Sequence, residues 1–519
     1  MEKIEVCPTS ISEQRDTDSL ADLIAGLSQD NSQLVVVSAA ERLTLGELKS
    51  RVADFAEKLR AAGVTSGSPV ATVVDKSADT FVSMFATWSA GGVYVPINGR
   101  YTATELAAFL AETPVALTIA SPQARERLEI HTPLVEFDME KRISHVVKPA
   151  APGHFRYEPD VALALRTSGT TGPPKSVLLR HSGTIGAIDS SLRKLRRNSS
   201  RPQSFTPRPI RMNMIPTSLA LWAGIYNAAF ALRAGFGVVM LDKFSVEAFV
   251  AAVHEFDIKS TVLAPAMITM LADDDSINDL GPLNLVRSIT APLSPEIARK
   301  FHRKFGVFVL NSYGQTELGG EVVGWTALDV RTFGLTKLGA AGRAYDDVDV
   351  RITDIDGDEL PHGCYGEIHV NSPFRMRDYV ASADIDDSRF VDGYLRTGDM
   401  GMIDSDGFIW IQGRVSDMIN RGGLKIFPDE VEEVLREHPA VRDAAVAGIP
   451  DRRLGEVPHA WIITDDAVVL DELSDWCRSK LVPYKVPTDF TLVEQFPRNE
   501  IGKVLRRDLI GSLTHDEDT

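Results

Sequence analysis

Residues Thr167 to Lys175 read TSGTTGPPK, with hydroxyls at Thr167, Ser168, Thr170 and Thr171, glycines at Gly169 and Gly172, and a closing Lys175. That combination suits a polyphosphate. Hydroxyls donate to phosphate oxygens, glycines let backbone N–H groups approach closely, and the lysine supplies countercharge. The string departs from a Walker A loop because its lysine follows two prolines, so no helix starts directly on it. It also fits an ordinary polar surface loop. Four further strings have chemistry in them. Tyr313-Gly314-Gln315-Thr316-Glu317 follows the apolar run FGVFVLNS and offers an aromatic to stack on a purine, a hydroxyl for phosphate and a carboxylate for Mg²⁺. A buried tyrosine beside a capping Thr/Glu pair explains it as well. Arg396-Thr397-Gly398-Asp399 places a carboxylate where two ribose hydroxyls can be accepted, or is simply a turn. Arg421-Gly422-Gly423-Leu424-Lys425 has paired glycines of the kind that mark a bulge, and PRNEIGKVLRRDL carries Lys503.

The elements that must position these strings read as α/β. VALALR, just before Thr167, has the length and apolar content of a buried strand, so the loop is expected to leave the carboxyl end of a sheet, where ligands bind. Residues 1 to 160 alternate helical patterns such as LGELKSRVADFAEKLRAAG with short apolar runs such as SPVATVV, which predicts largely parallel strands. Residues 212 to 320 return to that alternation. From 340 to 413 the chain is rich in short strands and turns, the pattern of a small β-barrel or curled sheet. The last hundred residues read as a compact α+β module. In it PDEVEEVLREH is an amphipathic helix with Pro428 ahead of it and Val431, Val434 and Leu435 on one face. A boundary is expected at Arg414 to Asp417, dividing residues 1–413 from 418–519.

At 519 residues the chain is long enough for two to four cores. A net charge of −17 argues against nucleic acid or anionic membrane as the main partner. Cys7, Cys364 and Cys477 are too few and too scattered for a disulfide framework or a metal cluster, which fits a reduced cytoplasm. Cys477 falls on the apolar face of LDELSDWCRSKL and reads as core. MEKIEVCPTS lacks the basic start and apolar centre of a signal peptide, and no long apolar run predicts a membrane span. Residues 193 to 211 carry seven basic side chains and no acidic one. They read as a solvated loop or as an electrostatic dock for CoA phosphates or an acidic carrier protein.

Taken together, TSGTTGPPK, YGQTE, RTGD, the IQGR that ends in Arg414, RGGLK and the segment around Lys503 resemble the motifs of the adenylate-forming superfamily. Acyl-CoA synthetases, luciferases and peptide-synthetase adenylation domains belong to it, and the likeness is nearest to the acyl-CoA synthetases. The matches run from AGGVYVPINGRYTATEL, near residue 90, to Lys503. The resemblance implies a large N-terminal AMP-binding domain of stacked α/β sheets plus a small β-barrel, a hinge at 414–417 and a small mobile C-terminal domain. It implies ATP, Mg²⁺ and CoA or a carrier-protein phosphopantetheine as reactants. It assigns the phosphates to residues 167–172 and Lys175, adenine to Tyr313 with Gly314, Gln315 and Ala291, and α-phosphate contact to Thr316. The metal goes to Glu317, the ribose to Asp399 with Arg414, and adenylation catalysis to Lys503. Gly422 and Gly423 are implied as the wall of a channel for the thiol arm.

The sequence departs from the family pattern in four places. Ser416 followed by Asp417 stands where an Asp or Lys pivot is usual. Pro216-Thr217-Ser218-Leu219 replaces an aromatic and histidine gate, with Trp222 nearby. Ile289-Thr290 precede Ala291-Pro292 in place of a glycine pair. The 26 residues from Glu317 to Gly342 leave no room for the insertion typical of fatty acyl-AMP ligases. The expected activity is ATP-dependent conversion of a fatty or aryl acid to an acyl-adenylate and then to its CoA thioester, with Trp222, Ile225, Met267 and Thr290 around a mostly apolar acid pocket. Two alternatives are loading of an acyl carrier protein and a non-catalytic module that binds acyl or nucleotide ligands.

Overall fold

The computed structural model describes residues 19–28, 30–75, 77–138, 143–166, 176–196, 210–241, 243–376, 389–464, 468–498 and 504–516. The loop 167–175 and Lys503 lie outside them, so the expectations placed there concern sequence alone.

Two sheets sandwich the first core. One has seven strands in the order Ile143–Lys148, Leu134–Asp138, Leu117–Ala120, Pro69–Val74, Val93–Asn98, Val161–Arg166, Ser176–Arg180. Its centre is parallel and its two outermost pairs are antiparallel. VALALR is the Val161–Arg166 strand, buried along five of its six residues. Its end is fixed on both sides of the 167–175 loop, because Arg166 pairs with Ser176. The second sheet has Arg211–Ile215, Phe236–Met240, Leu34–Val37 and Arg42–Thr44. Between the sheets lie Leu45–Ala61, Ala78–Ser89 and Trp222–Arg233, whose apolar faces meet through Leu48, Phe55, Phe81, Phe85, Tyr226 and Ala229. The Leu45–Ala61 helix begins where the sequence predicts it. Thr44 and Glu47 form a reciprocal capping box that satisfies the first backbone N–H groups.

A parallel trio, Ser260–Leu263, Leu285–Ser288 and Phe308–Asn311, extends the second sheet. The link is a side chain: the Thr261 hydroxyl donates to the Met214 carbonyl at 3.1 Å. All three strands end at one edge, since Leu263, Ser288 and Asn311 are register partners. Loops leaving these ends therefore converge. The strand-rich region is a five-stranded antiparallel sheet of Asp349–Thr353, Gly366–Asn371, Phe390–Val391, Tyr394–Ile403 and Ile409–Arg414.

Past Arg414, a single 3-10 turn, Val415–Asp417, leads to the Ile419–Arg421 strand of a separate α+β unit. There Pro428 occupies the first helical turn, and Val431, Leu435, Leu473 and Cys477 form the core. Cys477 is 0% exposed, as its helical face predicts. Among the described residues no helix is long and apolar enough to cross a membrane.

Candidate functional site

The strand Phe308–Asn311 runs into a tight hairpin, Tyr313–Gln315 against Gly320–Gly324. Gly314 is required there, because a Cβ would stand 2.1 Å from the Gly320 carbonyl oxygen. The hairpin presents Tyr313 and Gln315 to Asp399 on the neighbouring Tyr394–Ile403 strand. The Tyr313 hydroxyl donates to Asp399 Oδ2 at 2.7 Å. Gln315 Nε2 donates to the same oxygen at 2.6 Å and to the Thr397 carbonyl at 3.0 Å. Arg414 Nε lies 3.0 Å from Asp399 Oδ1. Residues separated by up to a hundred positions thus meet on one buried carboxylate. Burial and the Asp399 charge push the Tyr313 phenol well above its usual pKa. Burial alone would lower the Arg414 pKa, but the Asp399 charge outweighs it and keeps the guanidinium charged. The Tyr313 ring packs among Val322, Val323, Ala341 and Leu395.

The turn bearing Asp399 is braced from below. The Thr397 hydroxyl donates to the Ile368 carbonyl at 2.7 Å, and Glu367 accepts from Arg396 at 2.8 Å and from the Gly398 N–H at 3.3 Å. Burial opposes ionisation of Glu367, yet hydrogen bonds from His369 and Arg396 prevail and bring it down to about 2.

Thr316-Glu317-Leu318 form a 3-10 turn closed by Gly319 in the left-handed conformation. The Glu317 side chain is 14% exposed and 3.6 Å from Arg389. A lone carboxylate suits Mg²⁺ that takes its remaining ligands from nucleotide phosphates and water, so the donor set fits that ion. Ala291 sits on the loop after Leu285–Ser288, held to the next strand because Asn311 Oδ1 accepts from the Leu293 N–H at 3.3 Å.

Of the residues expected to surround the acid, Trp222, Met267 and Thr290 are partly exposed at the convergent edge. Ile225 is 0% exposed and belongs to the core between the sheets. Sequence reasoning did not find Arg287, on the same edge. It donates to Glu321 at 2.5 Å and to Asn227 at 3.2 Å. A lone arginine inside the apolar run LVRSI was the available signal. Arg389 belongs to no motif and gave none.

In the C-terminal unit Gly422 and Gly423 have φ of 60° and 91° and form the two-residue turn between Ile419–Arg421 and Leu424–Ile426. Positive φ at both centres is the type I′ geometry that favours glycine, so the pair is a hairpin turn where a bulge was expected. Among the described residues nothing stands within 4 Å of the place a Gly423 Cβ would occupy. In the chemistry that the family resemblance implies, Gly423→Leu is expected to retain pyrophosphate exchange and to suppress acyl transfer to CoA, with a loss of about 1–2 kcal/mol in stability from the left-handed backbone. Unchanged thioester output from this variant would place the thiol channel elsewhere.

A model of AMP-binding enzymes matches residues 27–380, and a model of the AMP-binding enzyme C-terminal domain matches 430–503. The chain is 30% identical over 480 residues to a feruloyl-CoA synthase of Amycolatopsis sp, covering 89% of this chain and 92% of that protein. It is 28% identical over 487 residues to the fatty acid–[acyl-carrier-protein] ligase ScoC of Streptomyces coeruleorubidus, covering 91% and 92%. Its fold matches that of o-succinylbenzoate CoA synthetase (MenE) from Bacillus subtilis in complex with the acyl-adenylate intermediate OSB-AMP. The TM-score is 0.81 at 26% identity, over 95% of this chain and 97% of that one.

Proposed function

The chain belongs to the AMP-binding enzyme family, and from that membership we propose that it is an ATP-dependent acid–thiol ligase acting on a fatty or aryl carboxylic acid. The observation that carries this reading is the convergence of Tyr313, Gln315 and Arg414 on Asp399, beside the turn that bears Thr316 and Glu317. Donors already in place hold the Asp399 carboxylate in one orientation and occupy both sites of Oδ2, so a ribose hydroxyl is accepted at the remaining site of Oδ1. Glu317 would hold Mg²⁺, which supplies charge neutralisation at the phosphates. Thr316 and the 167–175 loop, with Lys175, bind the phosphate chain. A carboxylate oxygen of the acid then attacks the α-phosphorus, and the bond to pyrophosphate breaks with its electron pair leaving on pyrophosphate. In this reading Lys503 supplies the cation that offsets the repulsion of the two negative groups, most of all in the transition state.

In the second half-reaction a thiolate attacks the acyl carbon and AMP leaves. CoA is the thiol in this reading, and the small domain turns about residues 414–417, with Ser416 or Asp417 as the pivot, to bring Gly422 and Gly423 to the site. A carrier-protein phosphopantetheine is the second reading, favoured by the similarity to an acyl-carrier-protein ligase. A cytoplasmic location completes the proposal.

Pyrophosphate exchange with a panel of acids tests the substrate class. The turn after Pro216 offers Thr217, Ser218, Leu219, Ala220 and Leu221, with no carboxylate for an α-ammonium. Burying that charge unpaired costs several kcal/mol. Fatty or aryl acids are therefore expected to support exchange and the common amino acids none. Robust exchange with an α-amino acid, with fatty and aryl acids inert, would overturn the reading.

A further inference from the structure

The convergent edge carries polar atoms that the reaction above does not use. Thr217 follows the Arg211–Ile215 strand, Trp222 opens the Trp222–Arg233 helix, and Thr290 follows Leu285–Ser288. Each residue is only partly covered. Yet Thr217 Oγ1, Trp222 Nε1 and Thr290 Oγ1 are shielded from solvent and have no hydrogen-bond partner among the described residues. Leaving such a donor unsatisfied is destabilising. Thr290 carries a second cost, because its φ is 75°, a left-handed conformation that a β-branched side chain rarely adopts. Strain of that kind persists where the surrounding structure enforces it, and it clusters at functional sites.

Three contacts place these segments around one region. Arg287 joins the central strand to the helix through Asn227 and to the Gly320–Gly324 strand through Glu321. Tyr226, one turn beyond Trp222 and 5.5 Å from it between ring centroids, packs on Gly320, where a Cβ would meet its ring at 2.6 Å. Gly224 lies against the 217–222 turn, since its Cβ would stand 2.1 Å from the Ser218 carbonyl oxygen. Glu321 also accepts from the Ser312 and Tyr345 hydroxyls, each at 3.2 Å. Arg287 and Glu321 pair from the middle strands of two neighbouring sheets, and their side chains keep only 15% and 10% exposure.

We infer that this region is the acyl subsite and that it selects an acid carrying a neutral oxygen, as hydroxyl, keto or alkoxy, on an aryl ring or short chain. The inference rests on the ligase reading and narrows it. Arg287 is matched by Glu321, so neither charge is left over for an ionic substituent. Two hydroxyls and an indole N–H remain, and all three can donate to a neutral oxygen. A plain alkyl or aryl group would leave them unpaired, the situation in which sites discriminate most strongly against an analogue that lacks the polar atom.

The test is pyrophosphate exchange with matched pairs: benzoate against 3- and 4-hydroxybenzoate, 3-phenylpropionate against its 4-hydroxyphenyl analogue, hexanoate against 6-hydroxyhexanoate. At least one oxygenated member is expected to exceed its partner in kcat/KM by about 10- to 100-fold. Thr290→Val and Trp222→Phe should each reduce that ratio several-fold, chiefly through KM, while Thr290→Ser keeps it. Thr290→Gly relieves the left-handed backbone, so its Tm should rise while the ratio falls, which separates a role in selection from one in stability. Equal or better exchange by every unsubstituted acid, or a ratio unchanged in the Val, Phe and Gly variants, overturns the inference and leaves the ligase reading standing. If no acid of either set supports exchange, the ligase reading falls with it.

Discussion

Alanine at Lys503 is expected to slow adenylate formation by about 10²–10³, the scale of one lost electrostatic contact in a transition state. Thioester formation from supplied acyl-adenylate and CoA should persist. The asymmetry follows from charge. Only the first half-reaction drives a carboxylate onto a phosphate, and only there does a cation between them lower the barrier more than it lowers the ground state. The substitution should leave the fold intact, because the chain on either side is tied independently of the lysine. Arg498 and Val504 form an antiparallel bridge, and the Leu505 N–H donates to the Pro497 carbonyl at 2.8 Å. Pyrophosphate exchange measures the first step, and single-turnover transfer from synthetic adenylate measures the second. Equal damage to both would rule out separate geometries for the two steps.

Arg506→Met is expected to destabilise the C-terminal unit by about 3 kcal/mol, the cost of stripping the countercharge from the buried Glu432 carboxylate. Arg506 lies 2.7 Å from Glu432, 2.8 Å from Asp429 and 3.2 Å from Asp417, and it donates to the Val446 carbonyl at 3.0 Å. Burial would raise the Glu432 pKa, but Arg506 and Arg436 outweigh it and hold the carboxyl below its usual range. A depressed folded-state pKa contributes stability that is present above the unfolded value and is lost as pH falls through the folded one. Without Arg506 the Glu432 carboxyl loses that support, so mild acid that protonates it should narrow the gap between variant and wild type. Urea denaturation at pH 7.5 and pH 5 checks both statements. A loss below about 1 kcal/mol at pH 7.5 would show the cluster to be energetically idle.

Much of the architecture was legible because hydrophobic period and punctuation agree locally. VALALR, LGELKSRVADFAEKLRAAG and PDEVEEVLREH fold as their patterns predict, and Cys477 is buried where its helical face puts it. The strings around Tyr313 and Asp399 could be recognised, but their meeting through one carboxylate could not, since no local pattern encodes a contact across 86 positions. The Arg287 pair was hidden for the same reason. A charge in an apolar strand announces a partner without saying where Glu321, Asn227 and Tyr345 will be. Ile225 shows the opposite failure. Its place in the sequence suggested a pocket wall, whereas helical geometry turns it into the core between the sheets. The glycine pair at 422–423 signalled backbone freedom correctly, but the signal does not distinguish a bulge from a hairpin turn.

The guanidinium of Arg506 grips Asp417, at the end of the 3-10 turn, and also the helix Pro428–Arg436. It stands three positions beyond Lys503 in the chain. Crank and handle are therefore bolted to one plate, and the rotation about residues 414–417 proposed above would carry the segment that bears Arg506 with it. In such a linkage, wear at the bolt shows first as loss of aim. An Arg506→Lys protein, folded but less tightly braced, should deliver its lysine over a broader arc, trading occupancy of the reactive pose for play in the joint.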